Sequence, residues 1–335
     1  MVLDVVVFGG SGFIGSAVAN YLSDAGLKVR VADVVRPRGD LGVEFVECDV
    51  RDRGAVLRAL GDARVAVNTA IVQIPRINEE PRLGYEVNVI GTQNVCEAVA
   101  GSGSCLGMVQ AGTWHTIGET GLSGVVDEEF GYRPDKVEER ARVYALSKVC
   151  QESVVRLFSY MFREKAYVVI RTGTVLGPNM PEQTAAKIFI KNAVGGKPLT
   201  PYRHSMYRPI LYVDVGDVAK AYEVVVKKIL DGDMRGVNNV FNLVYPEPMT
   251  VIELAETVKR SVEELTGGRI SPAVEVVDKG IPPLFTPDDK NRFVCKIDRI
   301  TAILGINRLK DPKASIKELT ARALSNQLDQ QNLRA

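Results

Sequence analysis

Val5-Val6-Val7-Phe8-Gly9-Gly10-Ser11-Gly12-Phe13-Ile14-Gly15 carries an apolar run straight into glycines spaced G-x-x-G-x-x-G. With the residues before it, the run reads as a buried strand over 2–8 and the glycines as the turn that leaves it. Beyond Gly12, the residues Ile14, Ala17, Val18, Tyr21 and Leu22 fall on one helical face, and Gly26 suits the stop. Strand, glycine turn and helix in that order are the context in which a dinucleotide seat is expected. The tight turn needs a residue free to adopt positive φ. Backbone amides at the helix N-terminus then face a pyrophosphate with no side chain between. Gly9, Gly12 and Gly15 are the residues assigned to that seat.

The next elements refine it. Asp33 ends a second strand over 28–33, near the spacing at which an acid bonds the adenosine ribose. A carboxylate there repels a 2′-phosphate, so NAD is the expected cofactor. Arg36 and Arg38 follow closely and leave NADP as the alternative. Asp49, in Cys48-Asp49-Val50 at the end of a third strand over 43–47, is placed to meet the adenine amino group.

Further strands are expected over 65–69, 106–111 and 166–171, alternating with amphipathic helices over 85–100 and 137–162. Strands this apolar need cover on both faces, which implies a parallel sheet between helix layers. Right-handed crossovers make it a doubly wound α/β (Rossmann) domain. A helix over 217–230 and a strand over 239–243 return to the sheet, and Thr250 with Glu253 forms a capping box for a helix to about 265. The expected division is 1–173 with 208–245 as the Rossmann domain, and 174–207 with 246–335 as a smaller substrate-binding lobe.

Composition narrows the function classes. Of 335 residues, 46% are hydrophobic and 25% charged, an ordinary globular balance. Lys+Arg 42 against Asp+Glu 41 leaves net charge +1, which argues against a nucleic-acid partner. Five scattered cysteines without a C-x-x-C pair, and only two histidines, point to free thiols in a reducing cytoplasm and to no metal site. The apolar N-terminus lacks a basic flank and carries Asp4, so it is not read as a signal peptide; no apolar run is long enough to span a membrane.

Chemistry is expected at Tyr144 and Lys148, in Val143-Tyr144-Ala145-Leu146-Ser147-Lys148. At i and i+4 of a helix both project from one face. A neighbouring ammonium and a positive nicotinamide ring both favour the phenolate, so beside the bound cofactor the Tyr144 pKa is expected to fall from about 10. Tyr144 would then exchange a proton with a substrate hydroxyl, and Lys148 would hold the nicotinamide ribose. Thr113, at the end of the fifth strand in Gln110-Ala111-Gly112-Thr113-Trp114-His115, would bond the reacting oxygen.

These motifs, in this order along nearly the whole chain, resemble the extended short-chain dehydrogenase/reductase superfamily, and within it the NAD-dependent epimerase/dehydratase family acting on nucleotide sugars. The resemblance rests on the glycine turn with Phe13 and Ile14, Asp33, Asp49 with Val50, and Asn68-Thr69-Ala70. It continues through Val87-Asn88-Val89-Ile90-Gly91-Thr92, Tyr144/Lys148, Arg171…Gly177-Pro178, Val213-Asp214-Val215-Gly216-Asp217-Val218-Ala219 and Ala302-Ile303-Leu304-Gly305. It implies Thr113, Tyr144 and Lys148 as the catalytic set. It places Phe13, Ile14, Val50, Thr69, Ala70 and Asn88 around the cofactor, and Arg208, Arg292 and Thr174 at the substrate. It also implies a homodimer through helices 85–100 and 137–162.

The chain departs from that pattern in informative places. Dehydratases of the family carry Asp-Glu after the threonine, where this chain has Trp114 and His115, so dehydration is not expected and His115 reads as an orienting or packing group. Thr174 replaces an Asn, and Ile117 a Tyr before Gly118. The leading expectation is a 4-epimerase with tightly held NAD. A net dehydrogenase or reductase on a non-nucleotide alcohol or ketone is the alternative, and a non-catalytic NAD sensor a third.

Overall fold

A period-2 alternation decides how the first strand is shared between two helix layers. In the computed structural model, residues 3–37, 39, 42–236 and 239–332 are described, the side chains beyond 327 excepted. Val5 and Val7 point to one side of the sheet and pack with Val18, Leu22, Tyr222 and Val225. Val6 and Phe8 point to the other, among Val56, Leu60, Val95, Val99 and Phe158. Each such fully buried side chain contributes about 1.5–3 kcal/mol.

The sheet has seven strands: β1 (Val5–Phe8), β2 (Val29–Asp33), β3 (Glu44–Glu47), β4 (Val65–Asn68), β5 (Gly107–Thr113), β6 (Ala166–Thr172) and β7 (Val240–Leu243). Their spatial order is β7-β6-β5-β4-β1-β2-β3, and every neighbouring pair is parallel. The expected strands and the doubly wound topology are therefore present. The order reverses between β1 and β4, and ligands of such sheets bind beyond the carboxyl ends of the strands at that point.

One layer uses α1 (Phe13–Asp24), and the other α2 (Arg53–Leu60), α3 (Gly91–Gly101) and α4 (Arg142–Met161). One of these helices, α4, begins later than expected, while the helix expected over 85–100 is helical already from Pro81 and interrupted in its middle. Residues Glu86–Ile90 form a π-helical turn before α3, in which Asn88 accepts from Val72 N–H (2.8 Å) and donates to Val72 O (3.1 Å) and Ser147 Oγ (3.0 Å). Such turns commonly occur at functional sites. The segment 137–141 stays out of α4 because Glu138 is extended, its N–H held by Glu119 Oε2 at 3.0 Å.

A second apolar cluster lies outside the sheet. It joins α5 (Ala185–Val194), α7 (Val251–Thr266) and α8 (Pro312–Asn332) through Phe189, Ile190, Leu254, Val258 and Ile316. The Thr250–Glu253 capping box of α7 is present. Between these elements α6 (Val215–Asp231), capped by Asp214, returns to the sheet. Ile300, Leu304, Ile306 and Leu309, drawn into the small lobe on sequence grounds, instead pack with Val218 and Tyr222 in the sheet's own core.

Candidate active site

The glycine turn is shaped by how closely backbones approach. Gly9 has φ +73°, and a Cβ there would lie 2.4 Å from Ala70 N. A Cβ on Gly15 would lie 2.2 Å from Gly9 O and 2.6 Å from Thr69 Oγ1. Thr69 Oγ1 donates to this turn, at 2.9 Å from Phe8 O and 3.1 Å from Gly9 O. Gly12 is the N-cap of α1, and no side chain caps that helix; its first turn also carries no acid. Phe13 and Ile14 turn into apolar clusters, which leaves the backbone amides as the polar groups of this turn. An uncapped helix N-terminus opposite a glycine turn fits a pyrophosphate.

Asp33 closes the far side. Its Oδ2 accepts Ser11 N–H at 3.0 Å, and Oδ1 accepts Val35 N–H at 3.3 Å, so the carboxylate stands beside the turn at the end of β2. Arg36, offered by the sequence as a 2′-phosphate partner, stacks on Phe45 at 4.7 Å. Arg38 lies outside the described residues. Asp49 is gripped by Arg51, whose hydrogen bonds hold its carboxyl below the usual range. Val50 is buried against Gly91, where a Cβ would meet it at 2.5 Å.

A polar chain links this seat to the proton-transfer groups. Ala70 N–H donates to Asn68 Oδ1 (3.2 Å), and Asn68 Nδ2 donates to Thr92 Oγ1 (3.2 Å) and Gln110 Oε1 (2.9 Å). Gln151 Nε2 donates to the same Thr92 oxygen at 2.8 Å, and Lys148 Nζ donates to Gln151 Oε1. Lys148 also donates to Ala111 O on β5 at 2.5 Å. Burial lowers its pKa to about 7, against Glu152, which raises it.

At Tyr144 burial dominates in the free protein. Burial pushes its phenol up to about 12, and the hydrogen bond with Thr113 offsets only part of that. The Lys148 ammonium does not counter it, because its hydrogen bonds go to Ala111 and Gln151. The phenol of the free protein is thus held protonated.

Beside it stands a group the sequence did not assemble. Thr113 Oγ1 is 3.1 Å from His115 Nδ1, and His115 Nε2 is 3.4 Å from Glu119 Oε1. The His115 ring meets Tyr144 edge-on at 5.9 Å. Glu119 is 2% exposed. Burial alone would raise its pKa, but Arg208 and His115 outweigh this and hold it ionised. Arg208 Nη1 reaches Glu138 Oε2 at 2.9 Å and Glu119 Oε1 at 3.6 Å. The only sequence signal for the pair was the four-residue spacing of His115 and Glu119.

The remaining candidates are Thr174, Arg292 and Asn88. Thr174 donates its N–H to Leu211 O at 2.7 Å. Arg292 is exposed and pairs with Asp289 at 3.2 Å. Asn88 is fully buried, with its amide satisfied by Val72 and Ser147.

Comparison with known proteins places this geometry. The model of the NAD dependent epimerase/dehydratase family matches residues 5–243. A candidate UDP-glucose 4-epimerase of Methanocaldococcus jannaschii is 25% identical over 264 residues, 72% of this chain and 82% of that one. The low-salt glycan biosynthesis protein Agl12 of Haloferax volcanii is 27% identical over 273 residues, 78% and 83% of the respective chains. The crystal structure of the Thermus thermophilus UDP-glucose 4-epimerase complexed with NAD superposes with TM-score 0.77 at 26% identity, over 96% of this chain and 99% of that one.

Proposed function

The chain belongs to the NAD dependent epimerase/dehydratase family, and we propose that it is a nucleotide-sugar 4-epimerase whose acid/base is Tyr144. The observation that carries this reading is the convergence of Thr113, Tyr144 and Lys148 at the carboxyl ends of β4 and β5, joined by Lys148–Gln151–Thr92–Asn68 to the glycine turn. NAD is the cofactor. Its pyrophosphate belongs on the amides behind Gly9, Gly12 and Gly15 and its ribose on Asp33, with Asp49, Val50, Thr69, Ala70 and Asn88 shaping the walls. Bound there, it supplies a reversible hydride acceptor.

The chain's own residues do the rest. Burial holds Tyr144 as a phenol in the free protein, and the positive charge that NAD would bring beside it favours the phenolate. Tyr144 then takes the proton of the sugar 4-hydroxyl and returns it after the oxidised sugar has turned over. Thr113 bonds the reacting oxygen, and Lys148 holds the nicotinamide ribose. Arg208 presents Nε, a buried atom without a hydrogen-bond partner, to the substrate diphosphate; Arg292 and Thr174 complete that side. The small lobe, 174–207 with 246–335 apart from the sheet-packed residues 300–309, provides the cover. Trp114 and His115 in place of an acid pair leave no route for removing water.

The protein acts as a homodimer in this reading. Leu146, Leu157, Tyr160 and Met161 on α4 and Ile90 beside α3 are exposed apolar residues suited to a helix-pair interface. All five cysteines are free, in keeping with a cytoplasmic setting, and among the described residues no helix is long and apolar enough to cross a membrane.

The test is incubation with UDP-, dTDP- and GDP-hexoses and NAD+, reading product mass and isomer. A new isomer of unchanged mass without net NADH supports the proposal. Net NADH moves the protein to the dehydrogenase reading, and loss of one water to a dehydratase.

A further inference from the structure

We propose that His115 and Glu119 form a positioning dyad that sets the direction of the Thr113 hydroxyl beside Tyr144. The inference rests on Thr113 and Tyr144 being the proton-transfer groups proposed above. It is carried by a run of contacts through four side chains, Tyr144–Thr113–His115–Glu119.

Glu119 anchors the far end. Its Oε2 accepts Glu138 N–H at 3.0 Å, and its Oε1 faces His115 Nε2 at 3.4 Å and Arg208 Nη1 at 3.6 Å. An ionised carboxylate only accepts, so it holds the imidazole proton on Nε2. In that tautomer the lone pair at Nδ1 faces Thr113 Oγ1, 3.1 Å away. The Thr113 oxygen already accepts His115 N–H at 3.4 Å. While Tyr144 is a phenol, the single Thr113 proton is therefore drawn to Nδ1 and a remaining lone pair is offered to the phenol or the substrate hydroxyl. Once Tyr144 is a phenolate, the Thr113 O–H turns to donate to it, the bond that lowers the Tyr144 pKa, and the dyad sets the balance between the two directions.

Without the dyad, the Thr113 hydroxyl is free to rotate and either to accept or to donate. The charged and titratable groups facing the imidazole are Glu119 and Tyr144, with Arg208 and Glu138 one contact behind. The dyad has this effect only through Thr113, which makes it a positioning device with a distinctive signature: its removal should matter only while Thr113 is present.

Two measurements test this. The protein has two histidines, His115 and His204, so ring-nitrogen NMR of 15N-histidine-labelled protein resolves His115 once His204→Gln has assigned the other. The expected spectrum shows the neutral Nε2–H tautomer for His115, shifted at Nδ1 by Thr113→Val and redistributed by Glu119→Gln. An Nδ1–H tautomer in the unmodified protein would overturn the proposal.

The second is a double-mutant cycle in turnover. His115→Ala is expected to lower kcat on the order of tenfold with KM unchanged, and to cost nothing further in a Thr113→Val background. Equal losses in both backgrounds, or a change confined to KM, would contradict a role exerted through Thr113. His115→Asn, whose amide oxygen accepts in place of Nδ1, should recover part of the rate. The NMR arm needs no substrate, so it decides the dyad even if no nucleotide sugar is turned over.

Discussion

The glycine turn after β1 and the Thr113–Glu119 corner after β5 lie at the same edge of one sheet, with β4 between them, yet they are built from different materials. The turn is held by backbone packed against backbone: Gly9 on Ala70, Gly15 on Gly9 O, and Thr69 clamping both. The corner is held by side chains from separate stretches, with Arg208 and Glu138 closing on Glu119. In the proposed reading, the seat for a constant ligand is thus fixed by shape, while the side that would meet the variable substrate is fixed by charge and hydrogen-bond direction. Substitutions on the two sides should fail in different observables.

The largest expected effect is at the corner. Tyr144→Phe should reduce kcat by about 10²–10⁴, roughly 3–5 kcal/mol, since it deletes the acid/base while the NAD seat is untouched. Turnover against NAD titration separates the two; a parallel loss of NAD binding would break the contrast between turn and corner.

Next comes the buried pair that backs the corner. Arg171 and Glu152 are 1% and 2% exposed and joined by two hydrogen bonds of 2.9 and 2.7 Å. Arg171→Met removes both of its hydrogen bonds to Glu152, which keeps the Tyr132 hydroxyl (2.9 Å) and Arg156 (3.3 Å). It should cost about 1.5–3 kcal/mol in urea unfolding, part of it recovered by adding Glu152→Leu.

Lys148 gives a pH signature that the turn lacks. Its pKa is lowered from 10.5 to about 7, with burial as the main cause. Between those values the unfolded chain holds a proton that the folded chain has released, so stability rises with pH across this window. Wild type should gain up to a few kcal/mol on Lys148→Met from pH 7 to pH 10, read from urea midpoints. A flat difference would mean that Lys148 is not desolvated.

The smallest effect belongs to the turn. Gly15→Ala forces a methyl to within 2.2 Å of Gly9 O and should cost about 1–3 kcal/mol, seen as weaker NAD binding with the sheet intact. Unchanged NAD affinity would show that the turn tolerates what its packing forbids.

The same contrast explains what the sequence made legible. Strand, glycine turn, Asp33 and the capping box at Thr250 are local patterns, and they appear where expected because local geometry imposes them. The late start of α4 was not legible, since it follows from Glu138 being held extended by Glu119, nineteen residues earlier. That burial outweighs Lys148 at the Tyr144 phenol of the free protein has a related reason. Spacing puts Lys148 on the right face of α4, but Gln151 and Ala111 take its ammonium, and neither belongs to the Tyr-x-x-x-Lys pattern. Residues 300–309 joined the sheet's core because their partners lie on α6, a pairing that periodicity alone does not reveal.

The central claim is that Tyr144 works beside a hydride acceptor that is regenerated within each turnover. It is tested most directly with a nucleotide hexose carrying deuterium at sugar C4. The account predicts a C4-inverted product that keeps the deuterium, with none released to water and no accumulation of reduced nicotinamide. Loss of the label, or a keto sugar accumulating with reduced nicotinamide, would contradict it.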